Sequence, residues 1–302
     1  MEGRQGTSPA CPLRMGGPAH NFPGAGGNHE RVSSPGYAGE VLWRPEPVKP
    51  MLNLNAVYAL LLREAKIFFR EKERIISILI SPLLFLFVMG KGMGTGTSPV
   101  PGYTYQQFIF PGIMAMVILF TSITYGLYII WDKRLDFLKE VLAAPISRAT
   151  LFVGKSLGGM LGAIIETLLL VLIGALFIIP LNPLKVLLCL AAAFPVSYMI
   201  TNLGLTIGAK MKSMEGFGLV MSFLTWPLFF FSGALFDLGA AAPYIRAISL
   251  FDPITYAVDL FRIIMLGSGY FSVWTDLGAI AVFCLASTAA GVAAFGKLQQ
   301  EK

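Results

Sequence analysis

Residues 156–179 read SLGGMLGAIIETLLLVLIGALFII. This run holds a single charge, Glu166, and is longer than the roughly 20 apolar residues a helix needs to cross the hydrocarbon core of a bilayer. It has no polar face of the kind a surface helix shows, so it reads as a membrane helix. On either side of it five further stretches qualify, at 75–93, 108–131, 186–209, 217–236 and 277–296. The first contains Pro82 and ends beside Lys91, whose long side chain would have to snorkel to the interface. A seventh apolar stretch, 254–266, is too short to cross and carries Asp259 and Arg262. It reads as a short re-entrant or interfacial helix, with Asp252 placed to cap it, Pro253 at its first position and Gly267 at its end. The expected fold is therefore all-α and integral to a membrane. It has six transmembrane helices and short re-entrant or interfacial helices between spans five and six.

The composition of the 302 residues agrees: 55% are hydrophobic and 13% charged, with a mean hydropathy of +0.70. Soluble domains carry about 25% charged residues. His20 and His29 both lie outside the apolar part of the chain, which excludes chemistry that needs a histidine within the membrane, zinc hydrolases and Ser-His proteases included. Cys11, Cys189 and Cys284 form no spaced pair, so neither a disulfide framework nor a metal site is expected. Residues 1–50 hold 8 of the 19 prolines and 9 of the 32 glycines, the composition of a disordered tail without a signal-peptide pattern. Met51 is an alternative start, and residues 51–302 read as one transmembrane domain.

The few charges orient the spans. Over residues 51–302, fourteen lysines and arginines fall before span one, between spans two and three, between four and five, and after six. Lys91, Lys185, Arg246 and Arg262 fall on the other side. Cationic connections stay in the cytoplasm, so both termini are expected there, in an inner or plasma membrane. Ahead of the first span, Leu54, Val57, Tyr58, Leu61, Ala65, Phe68 and Phe69 recur at helical spacing with Arg63, Lys66 and Arg70 between them. This is an amphipathic helix suited to the interface, with its basic face toward anionic head groups. An ordinary cytosolic helix packed on the bundle is the alternative. The longest cytoplasmic connection, 132–155, carries a charged helix stopped by Pro145, with Ser147 placed to cap the third span. Its length favours a partner-binding role over a mere joint.

Residues 149–156, ATLFVGKS, resemble a phosphate-binding loop with alanine in place of the first glycine. Such a loop follows a buried strand and needs glycines for close backbone approach, whereas Thr150, Leu151, Phe152 and Val153 stand here. Lys155 reads instead as a snorkelling anchor. Gly154, Gly158 and Gly162 repeat every four residues and mark a face that packs closely on another helix. Glu166 follows one turn later, rotated by roughly 40° from that face, and so points into protein. An intramembrane carboxylate is a functional candidate, as a proton, cation or head-group contact; a hydrogen-bonded packing role is equally open. Thr121, Ser122, Thr124, Tyr125 and Tyr128 either line a pathway or bond across helices. Trp226, Phe229, Phe230 and Phe231 read as packing or lipid-facing residues, and Ser232 has no base to make it a nucleophile.

Three stretches together resemble the permease of an ABC-2 type exporter: SPLLFLFVMGKGMG at 81–94, KEVLAAPISRATLFVGKSL at 139–157 and FFFSGALFDLGAAAPYIRAISLFDPITYAVDLFR at 229–262. The resemblance spans nearly all of 51–302, and it implies the membrane subunit of an ATP-driven efflux system for a drug, lipid or polysaccharide. It implies a coupling segment at Lys139, Glu140, Pro145 and Arg148 that contacts the ATPase. It also implies an outer re-entrant segment with Asp252, Pro253, Asp259 and Arg262. The chain itself would bind no cofactor and catalyse nothing. ATP and Mg would sit in two copies of a partner ATP-binding subunit, and two permease chains would pair among membrane lipids, with no nucleic acid involved. Two other classes stand beside this one. A secondary transporter using Glu166 would show paired broken helices in repeated halves, and a lipid-modifying enzyme would need clustered acids or histidines for a metal.

Overall fold

A computed structural model describes residues 53–70, 72–92, 98–135 and 147–297. Every regular element among them is a helix. In chain order these are α1 (Leu54–Arg70), α2 (Lys72–Gly92), α3 (Tyr105–Thr124), α4 (Gly126–Arg134) and α5 (Arg148–Phe177). They continue with α6 (Pro183–Lys210), α7 (Met214–Phe231), α8 (Pro243–Ser249), α9 (Pro253–Leu266) and α10 (Val273–Lys297).

Local sequence explains most of the boundaries. The Thr104 side chain accepts from Gln107 N, and the Gln107 side chain accepts from Thr104 N, a reciprocal box that opens α3. Ser147 caps α5 through Thr150 N, and Asn182 followed by Pro183 opens α6. Asp252 Oδ1 accepts from Ile254 N at 2.9 Å to open α9. Gly267, with φ of 75°, closes α9 in the left-handed region that glycine occupies without steric cost.

Five stretches are long and apolar enough to cross a membrane: Tyr105–Arg134, Arg148–Phe177, Pro183–Lys210, Met214–Phe231 and Val273–Gly296. The remaining expected span falls on α2, of which Leu79–Gly92 is the described apolar part. The run 217–236 ends early as a helix, at Phe231. Gly233 turns the chain at φ of 73°, and Ala234 then packs so closely on α3 that a Cβ at Gly112 would lie 2.5 Å from its carbonyl oxygen.

The centre of the bundle is α3, buried on all sides from Phe108 to Leu119 and packed between α2, α5, α6 and α9. A helix that is apolar around its whole circumference belongs there. It runs into α4 across one residue, Tyr125, where α4 crosses α6 at backbone contact. A Cβ on Gly126 would overlap Gly204 O, and one on Gly208 would overlap Gly126 O. In lipid, where burial itself drives little helix association, small residues permit that approach.

Candidate functional site

Helix α1 lies along α5, and its buried row is Val57, Leu60, Glu64 and Phe68. Of the apolar residues expected on the interfacial face, Val57 and Phe68 are buried while Leu54, Tyr58 and Phe69 are exposed. The reason is visible in α5. A Cβ at Gly154 would meet Leu60, one at Gly158 would meet Glu64, and one at Gly162 would meet Phe68. Two rows of four-residue repeats thus interlock, and they set the rotation of α1. The middle position of its row is a carboxylate.

That carboxylate belongs to a buried ionic cluster. Lys155, fully buried on α5, is paired by Nζ with Glu64 Oε1 at 3.2 Å and with Asp132 Oδ2. From the side facing solvent, Arg63 Nη1 meets Glu64 Oε1 at 2.7 Å and Arg63 Nη2 meets Asp132 Oδ1 at 3.2 Å. Two cations and two carboxylates join α1, α4 and α5. Burial pushes the Glu64 carboxyl up, but Lys155 and Arg63 beside it outweigh this and hold it below the ordinary glutamate range. Lys155 therefore does not snorkel. Removing water from a charge costs several kcal/mol, which only a close opposite charge offsets, and two carboxylates stand within reach inside the fold.

The neighbours of Asp132 and Ser147 are also anchored. Lys133 Nζ donates to the carbonyls of Gly208 (3.4 Å), Ala209 and Met211 (3.3 Å), which cations at a helix C-terminus satisfy well. Arg148 Nη1 donates to Phe295 O at 3.3 Å near the end of α10. Of the coupling residues inferred from sequence, Arg148 is thus placed, while Lys139, Glu140 and Pro145 lie outside the described residues. So does the tail at 1–50.

The polar candidates of the second span separate. Thr121 Oγ1 donates to Glu166 Oε2, both residues being fully or nearly fully buried. Tyr125 lies one turn on, against Gly159, stacked on Tyr128 with ring centroids 5.3 Å apart, and beside Glu64. Thr121 also borders a cavity of about 280 Å³ lined by Ser81, Pro82, Met116, Phe120, Thr124 and Trp226, between α2, α3 and α7. Phe120 and Trp226 meet edge to face across it at 5.2 Å.

On the opposite end of the bundle, Asp259 accepts from Tyr270 N and Phe271 N, each at 2.7 Å, fixing the turn between α9 and α10. Arg262 donates to Gly233 O at 2.8 Å, and its guanidinium stands 4.2 Å from the Phe108 ring centroid. Pro253 is buried at the first position of α9, next to the capping Asp252. These residues fasten the segment 232–272 onto the start of α3. Among the described residues, no group of three or more histidines, cysteines or acids is placed to hold a metal.

The ionic cluster was missed in the sequence, although Glu64 breaks the apolar row Leu60–Phe68 at its midpoint and faces the glycine repeat. That pairing of patterns is the available signal.

The profile of the ABC-2 type transporter family matches residues 55–266, well over half of the chain. The inner membrane transport permease YadH of Escherichia coli K12 is 23% identical over 215 residues, covering 71% of this chain and 84% of that protein. Nodulation protein J of Rhizobium leguminosarum bv. trifolii is 25% identical over 68% of this chain and 79% of its own length. The putative transport permease ycf38 of Cyanophora paradoxa is 26% identical over 65% of this chain and 70% of its own length.

Proposed function

This chain belongs to the ABC-2 type transporter family, and on that basis we propose that it is the membrane subunit of an exporter driven by a separate ATP-binding chain. The coarser statement, a multi-pass membrane transport permease, follows from family membership and the apolar helices. The observation that supports the finer one is the anchoring of 132–133 and 148. These positions flank the segment 136–146 and are tied to α1, α5, α6 and α10 by the ionic cluster and by the Lys133 and Arg148 bonds. A push delivered to that segment by a docked ATPase would reach the cytoplasmic ends of four helices. It would thereby shift the packing of the bundle between inward- and outward-facing arrangements.

In this reading ATP and Mg are held by two ATPase subunits, and the chain supplies no catalytic group. Two copies pair to enclose the route, in an inner or plasma membrane with both termini in the cytoplasm. The apolar, aromatic cavity beside Thr121 and Glu166 suits the hydrocarbon or ring system of a lipid, a drug or a lipid-linked glycan. Glu166 bears on that cavity through Thr121, a positioning role.

The test is purification of the tagged chain from its own membranes, followed by reconstitution into vesicles. An ATPase should co-purify, and export should require ATP. Transport by the isolated chain on an ion gradient alone would overturn the proposal in favour of a secondary transporter.

A further inference from the structure

The cavity beside Thr121 is walled by three helices, α2, α3 and α7, and its polar atoms are unevenly committed. None of the described residues that line it is ionisable, and most of the wall is apolar: Pro82, Met116, Val117, Phe120 and Trp226. Phe120 meets Trp226 edge to face, and Trp226 stacks on Phe230 with ring centroids 5.7 Å apart, so the rings are held in place. Thr121 Oγ1 donates to Glu166 Oε2, which spends the hydroxyl's one proton and leaves its lone pairs for the cavity. Thr124 Oγ1 spends its proton likewise, on Phe120 O at 2.6 Å. The donors left on the lining, the Ser81 hydroxyl and the Trp226 indole N–H, belong to exposed residues, whereas Thr121 is buried. The buried end of the cavity is thus an acceptor with a carboxyl group behind it.

We propose that this cavity binds apolar amines. The ammonium N–H groups donate to Thr121, the positive charge faces Glu166 across that hydroxyl, and the hydrocarbon or ring frame packs against Met116, Phe120 and Trp226. Each part of the ligand answers a part of the site. A donor satisfies the lone pairs of Thr121, whereas a carboxylate or phosphate would meet an acceptor there and go without the hydrogen bonds it made in water. A cation is drawn to the carboxyl behind Thr121, because opposite charges attract more strongly in a medium of low dielectric. The electron-rich faces of the aromatic rings favour a cation further. Thr121 touches the ligand, and Glu166 is a positioning residue that fixes which way the Thr121 hydroxyl points.

The proposal rests on reading the cavity as part of the transport route and narrows that reading to a class of cargo. Binding alone tests it, without ATP or a partner chain, so its failure and that of the exporter reading are separate results. The purified full chain is dialysed to equilibrium against four naphthalenes that differ only in their polar end: naphthylethylamine, its N-trimethyl derivative, naphthylethanol and naphthylpropionate. The amine should bind roughly tenfold more tightly than the trimethyl compound, which keeps the charge but cannot donate. The propionate should bind most weakly. Thr121→Val should abolish the advantage of the amine over the trimethyl compound, and Thr121→Ser should keep it. Glu166→Gln should weaken the two cations more than the alcohol, a split that a merely structural role would not produce. Trp226→Leu, at a half-exposed position, should weaken all four and so locate the binding in this cavity. A propionate that binds as tightly as the amine would overturn the proposal, and so would an amine preference that survives both Thr121→Val and Trp226→Leu. The order of the four ligands on the wild type needs no variant, so it decides even if Thr121→Val fails to fold.

Discussion

Among single residues, Lys155 shows how environment decides the meaning of a side chain. In sequence it stands in a GKS triplet at the mouth of a membrane helix, where a basic residue ordinarily anchors to the interface. In the structure it is sealed behind α1 between Glu64 and Asp132. Lys155→Met leaves those carboxylates with Arg63 alone and should cost about 3–5 kcal/mol, the range for breaking a buried pair from one side. Adding Glu64→Gln to that variant removes one charge of each sign, and a good part of the loss should return. Thermal melts of the purified single and double variants check this, and a single variant that melts with the wild type would count against the cluster. Acid acts on the same group. Because the native structure holds Glu64 below its ordinary value of 4.5, the stabilisation by its charge is present above that value and is lost as pH falls through the depressed one. Unfolding temperature measured against pH should drop along an acid limb that Glu64→Gln flattens. Glu64 falls within the apolar row Leu60–Phe68, but its spacing names neither Lys155 nor Arg63 and Asp132 as its companions, so the cluster was not legible. Glu166 was legible as inward-pointing, but its partner Thr121 was not.

For the helices, sequence patterns gave positions better than rotations or pairings. The α5 glycine repeat announced a close helix contact, but not that the contact is α1, since spacing carries no partner information. The crossing of α4 over α6 was not anticipated. Gly126 lies far in sequence from Gly204 and Gly208, and the three become a motif only when the chain brings them together. Gly→Ala inside a helix ordinarily gains up to about 1 kcal/mol, so Gly126→Ala tests the crossing by sign. Its methyl would overlap a backbone carbonyl that cannot give way, whereas Gly218 in α7 faces nothing within 4 Å. Detergent-soluble folded yield should fall sharply for Gly126→Ala and stay level for Gly218→Ala. Equal yields would mean that α4 and α6 do not touch as described. The early end of α7 is a further case. Hydropathy continued to residue 236, whereas the positive φ at Gly233 and the seat of Ala234 on α3 stopped the helix.

Across the molecule as a whole, the scarce lysines and arginines assign sides, and the assignment can be measured. In a chain cleared of Cys11, Cys189 and Cys284, Ser98→Cys before α3 should react with a membrane-impermeant thiol reagent on intact cells. Lys212→Cys, between α6 and α7, should react only after permeabilisation; the opposite pattern would invert the topology. The order of amino acids alone establishes that this is a helical membrane protein, where its apolar helices lie and which connections are cationic. Each of these is a local property, since a run of apolar side chains must leave water whatever the rest of the chain does. Which faces meet is settled only in the folded bundle: Glu64 with Lys155 across 91 positions, and Thr121 with Glu166 across 45. Where nearly every surface is apolar, hydrophobicity no longer discriminates among pairings. The choice falls to backbone approach at glycines and to the few charges that must find each other away from water.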